Sequence, residues 1–160
     1  MKKIKRINVG EVLEKVHKFC VLYIFKFISI ILFIKLPPIL SVGAFIKRDN
    51  KYLFVDLSYI NGFGLPGGII ENLESVEHAL KREIKEETGF NIINSKYLYS
   101  VVSKYRGVDT LSLIFSIEVS GDLKESGEGK LVWTSLEYFL KRPAYENGRL
   151  AVEKLINSKN

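Results

Sequence analysis

The sequence predicts a mixed α/β fold, either an α+β or an α/β sandwich, in which a mixed β-sheet lies between helices. Short apolar runs bounded by turn residues are typical of strands, and they recur from residue 39 onward. Helical patterns with capping residues lie between and after these runs. The chain has 160 residues, of which 47% are hydrophobic and 26% charged, so it suits one packed domain with an extension.

Charge divides the chain near residue 36. Residues 1–36 hold eight basic and two acidic side chains, which accounts for the whole net charge of +6. Residues 37–160 hold as many acidic as basic side chains, so no specific nucleic-acid partner is predicted. The single cysteine, Cys20, excludes a disulfide framework and a cysteine zinc site, in keeping with a reducing, cytoplasmic location.

The first region, residues 1–36, is predicted to form an extra N-terminal hydrophobic helix. Apolar residues recur at helical spacing from Val9 to Cys20, and 19–34 are apolar on all sides except at Lys26. This run of 16 residues is shorter than the roughly 20 that a spanning helix needs. Pro37 and Pro38 then end any helix.

Four interpretations of this segment compete. A cleaved signal peptide is disfavoured, because the basic region is long and no small-x-small site precedes the domain. A membrane span over Phe19–Ile34 stays open, although it would send the domain out of the cell, which conflicts with intracellular chemistry. A membrane-surface helix over residues 10–35 and a helix packed on its own domain or on a partner subunit both stay open, as does a homodimer.

The second region, residues 37–160, is predicted to be one globular domain with locally paired strands. A β-hairpin begins it, and a Gly-rich loop and an amphipathic helix ending at Gly89 follow. The expected strands are 41–47, 51–58, 97–104, 111–119 and 131–133, the loop is 61–68, and the expected helices are 75–88, 136–140 (capped by Thr134 or Ser135) and 144–156.

The central helix carries an unusual group of acids. Glu83, Glu86 and Glu87 lie at i, i+3 and i+4, so their carboxylates project from one face and repel one another. Such clustering favours a compensating cation, and hard oxygen ligands suit Mg²⁺ or Mn²⁺ rather than zinc. Arg82 is placed to hold a carboxylate by a bidentate hydrogen bond, and Glu74 lies at the start of the helix.

This stretch closely resembles the signature of the Nudix hydrolase family, G-x(5)-E-x(7)-R-E-U-x-E-E-x-G-U, where U is a bulky apolar residue. The sequence over 63–68, Phe-Gly-Leu-Pro-Gly-Gly, is also similar to the family's entry loop, with Phe63 at the aromatic position. The resemblance covers about residues 39–158 and implies a Nudix-type sandwich. The matching positions are Gly68, Glu74, Arg82, Glu83, Ile84, Glu86, Glu87, Gly89 and Phe90.

The resemblance implies roles for individual residues. Glu83, Glu86 and Glu87 would ligate a divalent metal ion, Mg²⁺ or Mn²⁺, while Arg82 and Glu74 would order these carboxylates. The backbone carbonyl of Gly67 is a further candidate ligand. Some members use a downstream acid as ligand or general base; the best match here is Glu128, and the weaker candidates are Glu118, Asp122 and Glu125.

The implied reaction is the hydrolysis of a phosphoanhydride bond in a nucleoside diphosphate linked to another moiety. The alternative is a non-catalytic nucleotide-binding or regulatory module, membrane-associated through the N-terminal helix. All three glutamates are retained, which favours the enzyme. Phe63 and Tyr105 are candidate substrate-binding residues, and no proline lies at the spacing linked with ADP-ribose hydrolases in the family.

Overall fold

The computed structural model describes residues 37–57, 62–105, 107–124 and 129–158, together with Tyr23. The rest of the predicted N-terminal helix and the candidate acids Glu125 and Glu128 lie outside the described residues. Within these ranges, no helix is long and apolar enough to cross a membrane. The fold below belongs to the second of two compact units, Pro38–Asn160.

Six strands and three helices make up the described part of this unit. Strands β4 and β5 are much longer than the sequence predicted, and the final helix starts two residues later than expected. In chain order the elements are β1 (Ile39–Arg48), β2 (Lys51–Leu57), β3 (Gly62–Gly64), α1 (Val76–Thr88), β4 (Asn91–Tyr105), β5 (Val108–Ser120), β6 (Lys130–Thr134), α2 (Leu136–Leu140) and α3 (Glu146–Asn157).

The strands form one mixed sheet in the order β3-β2-β1-β5-β4, with β6 paired to β2. The predicted hairpin is confirmed, since β1 and β2 pair antiparallel beside their turn. One pairing departs from the expected local pairing, because β1 pairs parallel with β5, from Ile39 opposite Thr110 to Ile46 opposite Ile117. A parallel pair needs a long crossover, which α1 and β4 provide.

Both faces of the sheet are covered by helices, which explains why β1 is buried without interruption from Ser41 to Ile46. Val42 and Ala44 of β1 belong to the core under α1, with Leu80 and other residues. Phe45 faces the opposite core, which includes residues of α2 and α3. The predicted mixed sheet between helices is thereby confirmed.

The ends of α1 follow the predicted capping chemistry. The Ser75 hydroxyl accepts the backbone N–H of His78 at 3.2 Å, which satisfies a donor of the first turn. At the other end Gly89 has φ 75°, and its N–H donates to the Lys85 carbonyl at 3.0 Å. Glycine adopts this left-handed conformation without a Cβ clash, so the helix stops there.

One short strand replaces part of the predicted Gly-rich loop. Residues 62–64 form β3 and pair antiparallel with β2, with Phe63 opposite Asp56. The other side of β3 is also used, since the Phe63 N–H donates to the Pro143 carbonyl and the Tyr145 N–H donates to the Phe63 carbonyl. Three residues are too few for a readable alternation in sequence, so this pairing depends on tertiary contacts.

Candidate active site

The loop before α1 runs along the edge of β1 that β5 does not use. The Val42 and Ala44 amides donate to the carbonyls of Gly68 and Pro66, each at 2.9 Å. The Ile70 amide returns a 2.9 Å hydrogen bond to the Leu40 carbonyl. The loop is thus held as if it were a further strand, and this fixes it beneath the carboxylates of α1.

Gly67 occupies a position that only glycine fits. Its φ is 139°, and an ideal Cβ there would lie 2.2 Å from the Val42 carbonyl oxygen. The Gly67 N–H donates to Glu87 Oε2 at 2.8 Å, which ties this carboxylate to the loop. Within the described residues the Gly67 carbonyl takes no part in the pairing with β1, unlike those of Pro66 and Gly68.

Gly68 brings the same loop against a second carboxylate. An ideal Cβ on Gly68 would lie 2.4 Å from Oε1 of Glu83, so the absent side chain leaves the space that this carboxylate fills. Glu83 is mostly buried, with 14% of its side chain exposed. Two adjacent glycines therefore contact two of the three carboxylates on the acid face of α1.

Arg82 and Glu74 form a bidentate pair on the flank of this site. Arg82 Nε donates to Glu74 Oε1 at 3.0 Å, and Nη2 donates to Oε2 at 2.9 Å. Glu74 also accepts the Glu71 N–H at 3.1 Å. The hydrogen bonds from Arg82 are the largest of the effects that hold the pKa of Glu74 at about 2 instead of 4.5, so this carboxylate stays ionised.

The same guanidinium reaches the acid face of the helix. Arg82 Nη1 lies 2.8 Å from Glu83 Oε1 and 3.4 Å from Glu86 Oε2, while Nη2 also donates to the Ile69 carbonyl. Hydrogen bonds to Glu74 lead the causes that raise the pKa of Arg82 above its usual value. A permanent cation thus sits between carboxylates that would otherwise repel one another.

The donor chemistry of this face fits a divalent cation, although its carboxylates now have protein partners. Within the described ranges, no three His, Cys, Asp or Glu side chains converge into a ready metal site. Glu83 and Glu86 contact Arg82, and Glu87 contacts Gly67. Glu86 contacts Arg82 only at 3.4 Å and is 61% exposed, so it can turn toward an ion beside Glu83 at little cost.

A cleft with a volume of about 190 Å³ opens next to these acids. Gly67, Gly68 and Glu87 line it, so the loop and the acid face border the same space. Its other walls come from all of the strands β1 to β5 and from the start of α3. Besides the apolar side chains, these walls include Ser41, Tyr105, Thr110, Ser112, Tyr145 and Asn147.

The two predicted substrate-binding residues have different positions. Tyr105 lines the cleft, at the end of β4. Phe63 does not; it is 3% exposed and packs on Phe139, with ring centroids 6.2 Å apart. Phe63 therefore lies in the packed interior, and its role in substrate binding stays a prediction.

Of the four downstream acids, the structure describes two. Glu118 is an exposed residue of β5, paired opposite Asn94 of β4, and Asp122 is exposed just after β5. Neither lines the cleft. Glu125 and Glu128 lie outside the described residues, so the best downstream candidate stays a prediction.

Several polar residues at the site were missed by sequence reasoning. The buried hydroxyls of Ser41 and Ser112 lie 2.7 Å apart, and Asn147 Nδ2 donates to the Ser112 hydroxyl at 3.3 Å. These residues come from β1, β5 and α3, and no spacing in the chain marks them. His78 is an exposed residue of α1, and its Nδ1 lies 2.9 Å from Glu74 Oε1.

The sandwich, the glycine loop and the acid-lined helix together define a class of protein. Residues 37–155 match the NUDIX domain family, and the chain belongs to that family. The membership inferred from residues 68–90 is thereby confirmed.

Individual relatives agree with this assignment. Over 103 residues the chain is 39% identical to the ADP-ribose pyrophosphatase of Methanocaldococcus jannaschii, a match covering 59% of this chain and 60% of the relative. The chain thus spans less than two thirds of that relative's length. Among solved structures, the MutT NUDIX hydrolase of Burkholderia pseudomallei is 28% identical, with a TM-score of 0.67 and coverage of 74% and 98%. The MutT protein of Methanosarcina mazei Go1 is 25% identical, with a TM-score of 0.70 and coverage of 79% and 99%.

Proposed function

We propose that this protein is a metal-dependent hydrolase that cleaves the phosphoanhydride bond of a nucleoside diphosphate linked to another moiety. One observation carries the proposal: Glu87 belongs to the acid face of α1 and also borders the cleft. A substrate in the cleft thereby brings its phosphates beside carboxylates that can hold divalent cations. Membership of the family supports the same reaction class.

Glu83, Glu86 and Glu87 are the residues proposed to hold the metal, with the Gly67 carbonyl as a further ligand. Carboxylate and carbonyl oxygens are the donors that Mg²⁺ and Mn²⁺ prefer, and the set includes neither sulfur nor imidazole. When bound, such ions neutralise phosphate charge and lower the pKa of bound water. Arg82 and Glu74 would hold Glu83 and Glu86 in position.

The chain's own groups have two tasks in this reaction, to fix the phosphates and to accept a proton. The loop over 66–70 fixes the phosphate end of the cleft, because it is hydrogen-bonded to β1. Glu87 is oriented by the Gly67 N–H and is close enough to the cleft to accept the proton of an attacking water. Glu128 is an alternative proton acceptor and lies outside the described residues.

Some relatives have names that specify a narrower class of substrate than the one proposed for this chain. The Methanocaldococcus relative is named an ADP-ribose pyrophosphatase, so ADP-ribose is the first derivative to test. A second protein, from Bacillus subtilis, is named a putative 8-oxo-dGTP diphosphatase, and it matches over 45 residues at 47% identity. Nucleoside triphosphates therefore belong in the same panel.

The test is a hydrolysis screen over nucleoside diphosphate derivatives and nucleoside triphosphates, with Mg²⁺, with Mn²⁺ and with a chelator, in which the nucleoside monophosphate product is measured by chromatography. Hydrolysis that requires the metal supports the proposal. Tight nucleotide binding without hydrolysis under either metal would contradict it and would favour the non-catalytic module.

Domain limits, location and assembly remain part of the proposal. We assign the hydrolase to residues 37–160 and a membrane-surface or packing role to residues 1–36. We further propose a cytoplasmic location, and light scattering of the purified chain would test the homodimer.

A further inference from the structure

We propose that α3 closes the outer edge of β4 to strand pairing, with Glu146 and Lys154 in the place of the neighbouring strand that β4 lacks. The edge that these two side chains cover fits an extended strand, and its partner, once the edge is freed, is the same edge of a second copy of this chain. This inference does not depend on the proposed reaction, because it concerns the edge of the sheet.

Strand β4 is the last strand of the sheet, so one of its sides has no strand beside it within the described residues. Such an edge offers unpaired N–H and C=O groups to other chains, and proteins protect it with bulges, prolines, charges or a covering element. The first half of β4 has two irregularities of register, between Ile92 and Asn94 and between Tyr97 and Tyr99. The second half, residues 99–105, pairs regularly with β5 and contains no proline. It therefore needs another form of protection.

Three residues of this second half direct their backbone groups outward. The Lys104 N–H donates to a carboxylate of α3, so it points away from β5. Because the backbone groups of successive residues in a strand point to opposite sides, those of Val102 and Ser100 also point away from β5. The Ser100 carbonyl agrees with this, since it accepts a hydrogen bond from α3. Val102 lies between the two and is 70% exposed.

Each charged side chain of α3 meets the backbone group that it can satisfy. Glu146 Oε2 accepts the Lys104 N–H at 2.9 Å, and Lys154 Nζ donates to the Ser100 carbonyl at 3.4 Å. A carboxylate can only accept and an ammonium group can only donate. A neighbouring strand would place a carbonyl and an N–H at these same two positions. The two side chains thus make the hydrogen bonds that such a strand would make.

The spacing of the two side chains matches the spacing of the two backbone groups. Glu146 and Lys154 are eight residues apart in the chain, which corresponds to about 12 Å along a helix. Ser100 and Lys104 are four residues apart, which corresponds to about 13 Å along a strand. One helix can therefore reach both ends of the open segment, provided that it runs antiparallel to β4, as the two contacts require.

Tyr99 holds the second of these side chains against the strand. Its hydroxyl donates to the Ala151 carbonyl of α3 at 2.7 Å, and Lys154 Nζ lies 4.9 Å from the centroid of its ring. A cation over an aromatic face is attracted to it. The helix dipole also favours an acid at the start of α3 and a base at its end, but that effect acts without any contact with β4. The contacts with the strand therefore have a cause of their own.

A second copy fits the freed edge in one register. Antiparallel pairing about a twofold axis at Val102 places this residue opposite its own counterpart and Lys104 opposite Ser100 of the other copy. The outward N–H and C=O groups of all three residues are then paired, and no like charges lie opposite one another. Valine is also a residue type that favours strands. The same edge is thus complementary to itself.

The experiment compares the wild-type chain with the double variant Glu146→Ala/Lys154→Ala by sedimentation velocity over a range of concentrations. The double variant should associate at least about tenfold more tightly, because its edge is open. Hydrogen exchange gives an independent measurement. In dilute solution the Lys104 amide should exchange faster in the double variant than in the wild type. At high concentration the Val102 amide should become protected in the double variant alone.

Three further variants serve as controls. Glu146→Gln/Lys154→Arg keeps an acceptor and a donor, so it should behave as the wild type. Glu153→Ala removes an exposed charge of the same helix and should change neither measurement. Val102→Lys, added to the double variant, places like charges opposite each other in the proposed register and should abolish the gain in association. If melting curves show that the double variant does not fold, the two single alanine variants replace it, and each frees one backbone group.

Unchanged sedimentation of a folded double variant would overturn the inference. Protection of the Lys104 amide that survives the loss of Glu146 would overturn it as well. Association that Val102→Lys does not reverse would assign the contact to another surface and would exclude the proposed partner. None of these results depends on whether the chain hydrolyses a nucleotide, so they are distinct from the outcome of the hydrolysis screen.

Discussion

Arg82 and Glu74 are joined by two parallel hydrogen bonds of 3.0 and 2.9 Å, although one lies in α1 and the other in the loop before it. The pair therefore fastens the loop to the helix. The same arginine contacts Glu83 and Glu86, so the loop, the helix and the acids move together. A change at Glu74 should therefore affect both the stability of the fold and the geometry of the site.

Replacement of Glu74 by glutamine should remove a pH-dependent part of the stability. The pKa of Glu74 is about 2 in the folded chain and 4.5 ordinarily, so the unfolded state binds more protons between these values. The stabilisation is thus complete above about pH 5 and is lost as pH falls toward 2. Thermal melts of both proteins should differ by a constant amount above pH 5 and converge below it. A pH-independent difference would refute this coupling.

Replacement of Glu86 by glutamine should abolish most hydrolysis and leave the fold intact. The change removes an anionic ligand while keeping its shape, so we expect turnover to fall at least about tenfold. Without metal, stability should stay within about 0.5 kcal/mol, because a weak 3.4 Å contact with Arg82 is lost while repulsion from Glu83 is relieved. Turnover within a few-fold of wild type at saturating Mg²⁺ would remove Glu86 from the ligand set. Glu77→Gln, an exposed acid of the same helix, is the control.

The adjacent glycines of the loop should respond differently to alanine. Gly67→Ala places a Cβ against the backbone of Val42 at a φ of 139°, so it should destabilise the fold by about 2 kcal/mol or more. The atoms nearest to a Cβ in Gly68→Ala belong to the movable end of Glu83, so this change should lower turnover about tenfold or more with a nearly unchanged melting point. Circular dichroism melts beside steady-state kinetics would distinguish the two.

Gly107 provides the control for backbone strain alone. Its φ is 84°, and among the described residues nothing beyond its chain neighbours lies within 4 Å of an added Cβ. Gly107→Ala should therefore cost only about 1–2 kcal/mol of conformational strain. A loss as large as that of Gly67→Ala would show that the close approach to β1 is not the cause at Gly67.

A chain that starts at Leu36 should retain hydrolysis, because the hairpin, the loop and the acids all follow it. If residues 1–35 lie on a membrane, the full chain should bind anionic vesicles in a salt-sensitive way and the truncated chain should not. If they pack on the domain, the truncated chain should melt earlier or aggregate. Vesicle co-sedimentation with melting curves tests both. Absence of vesicle binding at any salt concentration, with a lowered melting point, would exclude the membrane-surface role.

The sequence predicted those parts of the molecule whose causes are local. Ser75 and Gly89 cap the two ends of α1, and they could be predicted because capping depends on a few neighbouring atoms. The spacing of Glu83, Glu86 and Glu87 places the three acids on one face of the helix. The parallel pairing of β1 with β5 could not be read in this way, since a strand buried on both faces has no alternation to reveal its partner.

The cleft could not be predicted from the sequence, for a related reason. Ser41, Ser112 and Asn147 meet only because the sheet places β1 beside β5 and α3 over their ends. The buried position of Phe63 could not be predicted either, because a motif gives the residue type at a position and not the direction of its ring. Chemistry encoded within one helix was therefore predictable, and chemistry assembled from three elements was not.

Backbone amides of β1 can be used to measure two separate motions. Successive amides of a strand point to opposite sides, so those of Val42 and Ala44 are protected by Gly68 and Pro66 while that of Gly43 points toward β5. Hydrogen exchange at Val42 and Ala44 therefore measures how often the loop lifts from the sheet, and exchange at Gly43 measures how often the sheet itself opens. Binding at the acid face should slow hydrogen exchange at Val42 and Ala44 before it slows exchange at Gly43. The exchange rates of Val42 and Ala44 therefore report directly on the ordering of the loop.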